Sequence, residues 1–239
     1  MKSRLSRCLI APFIRKYKVD ASEFEKQNFN TFNDFFTRKL KKEARPIIQD
    51  SKKLVFPADA RYLAYQKIDQ IHAKGKTFSL HELLKDSDLA ARYIGGSMLI
   101  ARLCPVDYHR FHFPSDGVPS SAKLISGHLF SVSPLALKKR LSILWENKRM
   151  LTTFETENFG KIAYLEIGAT NVGSIRQTYT PFKTVKKGDE KGFFEFGGSC
   201  VILLFEPDTI IFDSDLIQNT QNGLETYAKM GESFLKASF

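Results

Sequence analysis

Three short stretches of the 239-residue chain carry side chains able to do chemistry. FGGSCVILLFEP, residues 196 to 207, sets Gly197, Gly198 and Ser199 in front of an apolar run with β character. Glycine packs nothing and costs entropy to fix, so a pair at a strand start marks a turn, a bulge or a peptide bond that something approaches closely. The Ser199 hydroxyl follows the Gly198 carbonyl directly and is a candidate nucleophile. DYHRFHFPSDG, residues 107 to 117, holds His109 and His112 between Pro105 and Pro114. The prolines and alternating aromatics predict an extended segment, with Asp107, His109 and Phe111 on one face and Tyr108, Arg110 and His112 on the other. A regular strand cannot aim both histidines at one point, so either they do different work or the segment bends near Pro114. PADAR, residues 57 to 61, supplies Asp59, a turn residue or an orienting carboxylate. Asp, His and Ser together activate a hydroxyl: the carboxylate fixes the imidazole and the imidazole takes the proton. The order Asp59, His109 or His112, then Ser199 suits such a triad.

These residues need elements to position them. From Leu54 onward, short apolar or alternating runs are cut by Gly, Pro, Asn and Asp, which predicts strands. SLHELLKDSDLAARYI and SPLALKKRLSILWENK predict helices, the first with Ser79 as N-cap. SEFEKQNFNTFNDFFTRKLKK predicts a helix with an aromatic stripe, Phe24, Phe29, Phe32, Phe35 and Phe36, closed by the proline of KEARPI. The expected fold class is α+β, a mainly antiparallel β core, sandwich- or barrel-like, with N-terminal helices. The expected division is a helical, membrane-associating segment over 1–48 and a β-rich catalytic domain over 49–239.

Lys and Arg exceed Asp and Glu by 36 to 26, so the preferred partner surface is anionic, nucleic acid or lipid. The basic residues are spread along the chain without a recognition motif, which argues against nucleic acid. Cys8, Cys104 and Cys200 form no C-x-x-C pair, so neither a disulfide framework nor a cysteine metal site is expected, and a reducing cytoplasm fits. No apolar run is long enough to span a bilayer, so membrane contact is expected to be peripheral. The start, MKSRLSRCLIAPFIRKYKVD, places Leu5, Leu9, Phe13 and Tyr17 near helical spacing among basic residues, a short amphipathic helix kinked at Pro12. It serves either as a helix packed on its own domain or as an interfacial anchor.

TFNDFFTRKLKKEARPI, FPADAR, AKGKTFSLHELL, RLCPVDYHRFHFPSDG, GHLFSVSPLAL, IGATNVGSI and FGGSCVILLFEP follow one another from about residue 15 to the C-terminus in an order that resembles the phosphatidylserine decarboxylase family. The resemblance implies a self-processing lyase, cut between Gly198 and Ser199 into a β chain, 1–198, and an α chain, 199–239, that stay associated. Its cofactor would be a pyruvoyl group derived from Ser199, which does for an amine substrate what pyridoxal phosphate does elsewhere. The resemblance assigns Asp59 and His112 to processing with Ser199, and His109 to substrate handling or protonation. It further implies phosphatidylserine as substrate, an anionic membrane surface as partner, a location on the cytoplasmic face and room for a homodimer. Two positions depart from the family pattern: Ala60 where glycine is usual, and Cys200, a rival nucleophile, where a hydroxyl residue is common. Two other readings compete. One is a relative acting on a free amino acid such as tryptophan, against which the basic N-terminus speaks. The other is a carrier-like β domain suggested by VKKGDEKGFFEFGGS, which leaves RLCPVDYHRFHFPSDG unexplained.

Overall fold

The computed structural model describes residues 1–68, 72–73, 76–170, 174–197 and 199–235. Gly198, which carries the expected cleavage site, and residues 171–173 of IGATNVGSI lie outside them. The strands are β1 Ala60–Tyr65, β2 His72–Ala73, β3 Lys76–Thr77, β4 Ser97–Leu103, β5 Arg110–His112, β6 Val118–Pro119 and β7 Lys123–Ile125. They continue with β8 Arg149–Glu155, β9 Lys161–Gly168, β10 Ile175–Gln177, β11 Glu190–Phe194, β12 Ser199–Phe205 and β13 Thr226–Ala228. Eight of them form an antiparallel sheet in the order β13-β1-β4-β12-β9-β8-β6, with β7 also on β8. A three-stranded sheet, β10-β11-β5, lies apart from it. The large sheet ends at β13 on one side and at β6 and β7 on the other, so the architecture is layered sheets and not a barrel.

β12 is the strand the rest is built around. Its sequence, SCVILLF, is apolar at nearly every position because both faces are covered, and all seven residues are buried. Cys200, Ile202 and Leu204 join a core with Met98, Ile100, Ala163 and Leu165, under helices α3 Leu80–Leu84, α4 Ser87–Arg92 and α6 Ile143–Glu146. Val201, Leu203 and Phe205 join a second core with Tyr62, Tyr164, Phe111, Phe113 and Phe194, which the small sheet covers. Strand alternation therefore fixes Ser199 on the second face. Between the sheets Lys191 of β11 is fully buried, its Nζ 2.5 Å from Glu166 Oε1 on β9, 3.0 Å from Thr152 Oγ1 and 2.9 Å from Gln177 Oε1. All three ammonium donors are used, which such deep burial requires.

The N-terminal region departs from the sequence expectation. The predicted long helix over 22–42 is a single short α2, Phe32–Phe36, between one-turn 3-10 segments at Ala21–Glu23 and Lys42–Ala44. Side chains that compete with helix hydrogen bonds break it up: Asp20 accepts from the Ser22 amide, Thr31 from the Asp34 amide, and Asp34 from the Asn30 amide. The five phenylalanines nevertheless pack as one cluster with Ile10, Phe13 and Ile14 of α1, Ile10–Tyr17. Pro12 sits in the first turn of α1, where its missing N–H has no intrahelical partner to lose, and a 3-10 turn, Arg4–Leu9, precedes it. The predicted helix after Ser79 is two helices: the Ser79 hydroxyl caps α3, Lys85 turns left-handed and Asp86 caps α4. The second predicted helix likewise divides into α5 Pro134–Lys139 and α6.

Candidate active site

Antiparallel pairing sets Ser199 opposite Leu103, the last residue of β4, and Gly168, the last of β9. Beyond Leu103 the chain must turn before it reaches β5. The Asp107 amide donates to the Cys104 carbonyl at 2.9 Å, and the Cys104 amide to Asp107 Oδ2 at 2.6 Å. That tight reversal at Pro105 carries His109 back over the end of β12. β5 begins only at Arg110, so the histidines do not share one regular strand: His109 belongs to the turn and His112 to the strand.

His109 Nδ1 lies 3.2 Å from Ser199 Oγ, and Nε2 lies 2.9 Å from the Cys104 carbonyl oxygen. A carbonyl only accepts, so Nε2 carries the proton and Nδ1 presents its lone pair to the Ser199 hydroxyl, which donates. The Cys104 carbonyl holds the imidazole as a carboxylate does in a Ser-His-Asp triad. The ring stacks on Phe36 with centroids 3.8 Å apart, and neither His109 nor Ser199 is exposed to solvent. Burial above all, with the Arg38 guanidinium adding to it, pushes the His109 pKa down to about 3. The imidazole is therefore neutral, and its lone pair free, throughout the physiological range.

Asp59 and His112 are not joined to this pair. Asp59 is buried and accepts from Arg45 Nε at 2.9 and 3.0 Å, from Arg45 Nη2 at 2.5 Å and from the Met230 amide at 2.9 Å. Arg45 also donates to Glu23, so Asp59 serves as the counter-ion of a buried arginine. His112 stacks on Tyr108, and its Nδ1 is buried with no partner. Burial first, then Arg110, pushes the His112 pKa down to about 4, against the opposing pull of Glu190, the Pro57 carbonyl and Asp59. In this structure His109 and not His112 is in contact with Ser199, because the chain turns at 104–107 and carries His109 back over the start of β12.

The first of the two glycines before Ser199 has a conformational reason. Gly197 has φ of +146°, a region closed to side chains, so the bend into β12 requires glycine there. Cys200 points into the opposite core and burial pushes its thiol up to about 12, so it stays protonated and does not rival Ser199. Ala60 opens β1 fully buried and paired with Ala228, so the departure from glycine leaves the strand regular. Sequence reading missed Arg38, Arg45, Phe36 and the Cys104 carbonyl. The arginines had a signal, being cations in segments rich in apolar residues, whereas a main-chain carbonyl has none.

A family model described as phosphatidylserine decarboxylase matches residues 32–236. The chain is 52% identical over 238 residues to the "Phosphatidylserine decarboxylase proenzyme" of Chlamydia muridarum (strain MoPn / Nigg), covering 98% of this chain and 79% of that protein. It is 51% identical over 235 residues to the protein of the same name from Clostridium novyi (strain NT), covering 96% and 80%.

Proposed function

Because the chain belongs to the phosphatidylserine decarboxylase family, we propose that it converts phosphatidylserine to phosphatidylethanolamine and carbon dioxide with a pyruvoyl group made from its own Ser199. The observation that carries this is the Ser199–His109–Cys104 hydrogen-bond chain at the buried start of β12. A serine whose proton has an acceptor, two residues after Gly197 with its positive φ, fits the precursor of such a group. In self-cleavage, Ser199 Oγ attacks the preceding carbonyl and turns the peptide bond into an ester, with His109 taking the hydroxyl proton. β-Elimination releases the carboxylate of residue 198, and water then displaces ammonia from residue 199.

The group so formed supplies a carbonyl that holds the substrate amine and accepts the electron pair released with carbon dioxide. The chain's own residues do the rest. His109, whose Nδ1 lies within contact of residue 199, takes the proton that the substrate ammonium gives up and returns it to the α-carbon once carbon dioxide has left. Phe36 stacked on His109 keeps water from that proton path. A second reading of processing is carried by His112, whose Nδ1 is buried without a partner and which the family resemblance pairs with Asp59. That reading requires Asp59 to leave Arg45.

The lipid substrate agrees with the N-terminal surface. Leu5 is 85% exposed, Leu9 45% and Tyr17 48%, among Lys2, Arg4, Arg7, Arg15, Lys16 and Lys18. Apolar side chains flanked by cations suit an anionic bilayer surface, such as the cytoplasmic face of a membrane. No helix of the described residues is long and apolar enough to cross one. The test is intact mass with assay of carbon dioxide release. Wild type is expected as two chains that act on phosphatidylserine, and Ser199→Ala as one uncut, inactive chain. A wild-type chain still whole after prolonged incubation, or one that decarboxylates a free amino acid and not the lipid, would overturn the proposal.

A further inference from the structure

A cavity of about 340 Å³ lies between the segment that follows α1 and the 104–108 turn, with Arg38 in its lining. Five cations and four carboxylates face it, and the carboxylates are all engaged. Asp59 and Glu23 are held by Arg45, with Lys229 Nζ 3.7 Å from Glu23. Asp107 is held by Arg61 at 2.7 Å, and Asp20 by the Ser22 amide and hydroxyl. Among the described residues two of these cations form no ion pair, Arg38, which feels Asp59 and Asp107 only at a distance, and Lys18. Lys18 is exposed at the C-terminal end of α1.

Arg38 is the more telling of the two. It is 5% exposed, yet its hydrogen bonds go only to the carbonyls of Phe35, Val106 and Asp107, and its Nε has no partner. Its guanidinium lies 5.0 Å from the ring centroids of both Phe24 and Phe35. A buried guanidinium normally has an anion bound through its fork of donors. Here the place beside it is an open cavity wall. We propose that this cavity takes the phosphodiester of the substrate headgroup, with Arg38 holding its oxygens and Lys18 adding charge at the rim. This rests on the lipid-substrate reading above.

The alternative anion, the substrate carboxylate, is disfavoured by the chemistry of the reaction. Its charge disappears as carbon dioxide leaves, so a guanidinium bound to it would hold the ground state more tightly than the transition state and slow the step. The phosphodiester keeps its charge throughout. Binding it therefore does not oppose decarboxylation. The rim of the cavity includes Tyr17 and Lys18 at the C-terminal end of α1, and the exposed Leu5 and Leu9 offered to lipid lie in the 3-10 turn that precedes this helix.

The probe is glycerophosphoethanolamine, which has the phosphodiester and the amine but no carboxylate to lose, titrated calorimetrically into the processed enzyme. Ethanolamine and inorganic phosphate serve as controls. Wild type is expected to bind the probe at least about tenfold more tightly than either control. Arg38→Lys, which loses the fork, is expected to weaken binding about tenfold, and Lys18→Asn about three- to fivefold. Asparagine tolerates the left-handed backbone at position 18, where φ is 53°. In neutral mixed micelles KM for phosphatidylserine should rise by the same factors with kcat within about twofold. If Arg38→Lys does not fold or is not cut, Lys18→Asn decides alone. Wild-type affinity in Lys18→Asn, or equal binding of ethanolamine, overturns the phosphate site. Inorganic phosphate binding as tightly as the probe makes free phosphate the ligand and overturns the headgroup assignment. A wild type that binds the probe but releases no carbon dioxide from the lipid leaves this site standing and removes the proposed activity.

Discussion

Replacing His109 by glutamine tests the geometry at Ser199 most directly. Glutamine keeps an amide N–H that can reach the Cys104 carbonyl, but it cannot accept a proton. Among the described residues the side-chain acceptor within hydrogen-bond reach of Ser199 Oγ is His109 Nδ1 at 3.2 Å, on a ring whose tautomer is fixed and whose charge is zero at neutral pH. Loss of a positioned general base slows a reaction by about 10²–10⁴, on the order of 3–5 kcal/mol in the barrier. Chains made by cell-free synthesis and followed by intact mass should therefore show His109→Gln cleaving at least about 100-fold more slowly than wild type. His112→Gln, which removes no contact of Ser199, should cleave within about tenfold of wild type. The opposite pattern, prompt cleavage of His109→Gln with His112→Gln left whole, would refute the assignment. It would mean that Asp59 and His112 rearrange onto Ser199 before the cut.

Three further outcomes are expected, the first two measured in the uncut Ser199→Ala background. Both buried histidines have pKa values depressed below their unfolded value, so below about pH 6.5 the unfolded chain binds protons that the folded chain does not. From these groups stability is full above about pH 6.5 and falls as pH drops towards 4, by up to about 1.4 kcal/mol per histidine per pH unit, which denaturant titrations at several pH values will read. Lys191→Met, which leaves Glu166 buried without its cation, should destabilise the fold by about 3–5 kcal/mol, and adding Glu166→Leu should recover much of that by the same assay. The pair Leu5→Gln and Leu9→Gln, on exposed side chains, should lower sedimentation with phosphatidylglycerol vesicles by about tenfold or more while self-cleavage proceeds normally.

The β core was legible because its signal is local. SCVILLF and SMLIARL are buried on both faces, and a strand in that setting must be apolar along its length. The residues that could react were legible too, since Ser199, His109, His112 and Asp59 are chemically distinct and sit beside prolines and glycines. Their partners were not. Whether a histidine meets Ser199 depends on where the chain reverses after β4, and a three-residue shift of that turn exchanges one imidazole for the other. The family resemblance assigned Asp59 to the processing triad, and the partner that holds it in the structure, Arg45, is fourteen residues away in a segment that looked like the end of a helix. The N-terminal helix was overpredicted for a related reason. Its aromatic spacing is real and builds a cluster, but capping side chains divide the backbone beneath it.

The central place of β12 bears on how the protein ages. Its neighbours on both edges, β4 and β9, belong to the part of the chain that precedes the proposed cut. A chain severed before Ser199 would keep that strand zipped along two ladders and buried on both faces, so the pieces would separate only when the whole sheet opens. Reassembly would then require two molecules to meet and to thread a middle strand into a sheet already collapsed. The precursor, with one continuous chain, faces no such difficulty. Its native state is recoverable, whereas that of the severed protein is reached once and persists by the height of its unfolding barrier. Such an enzyme has a lifetime set by kinetics from the moment it matures, and lost molecules are replaced by new synthesis.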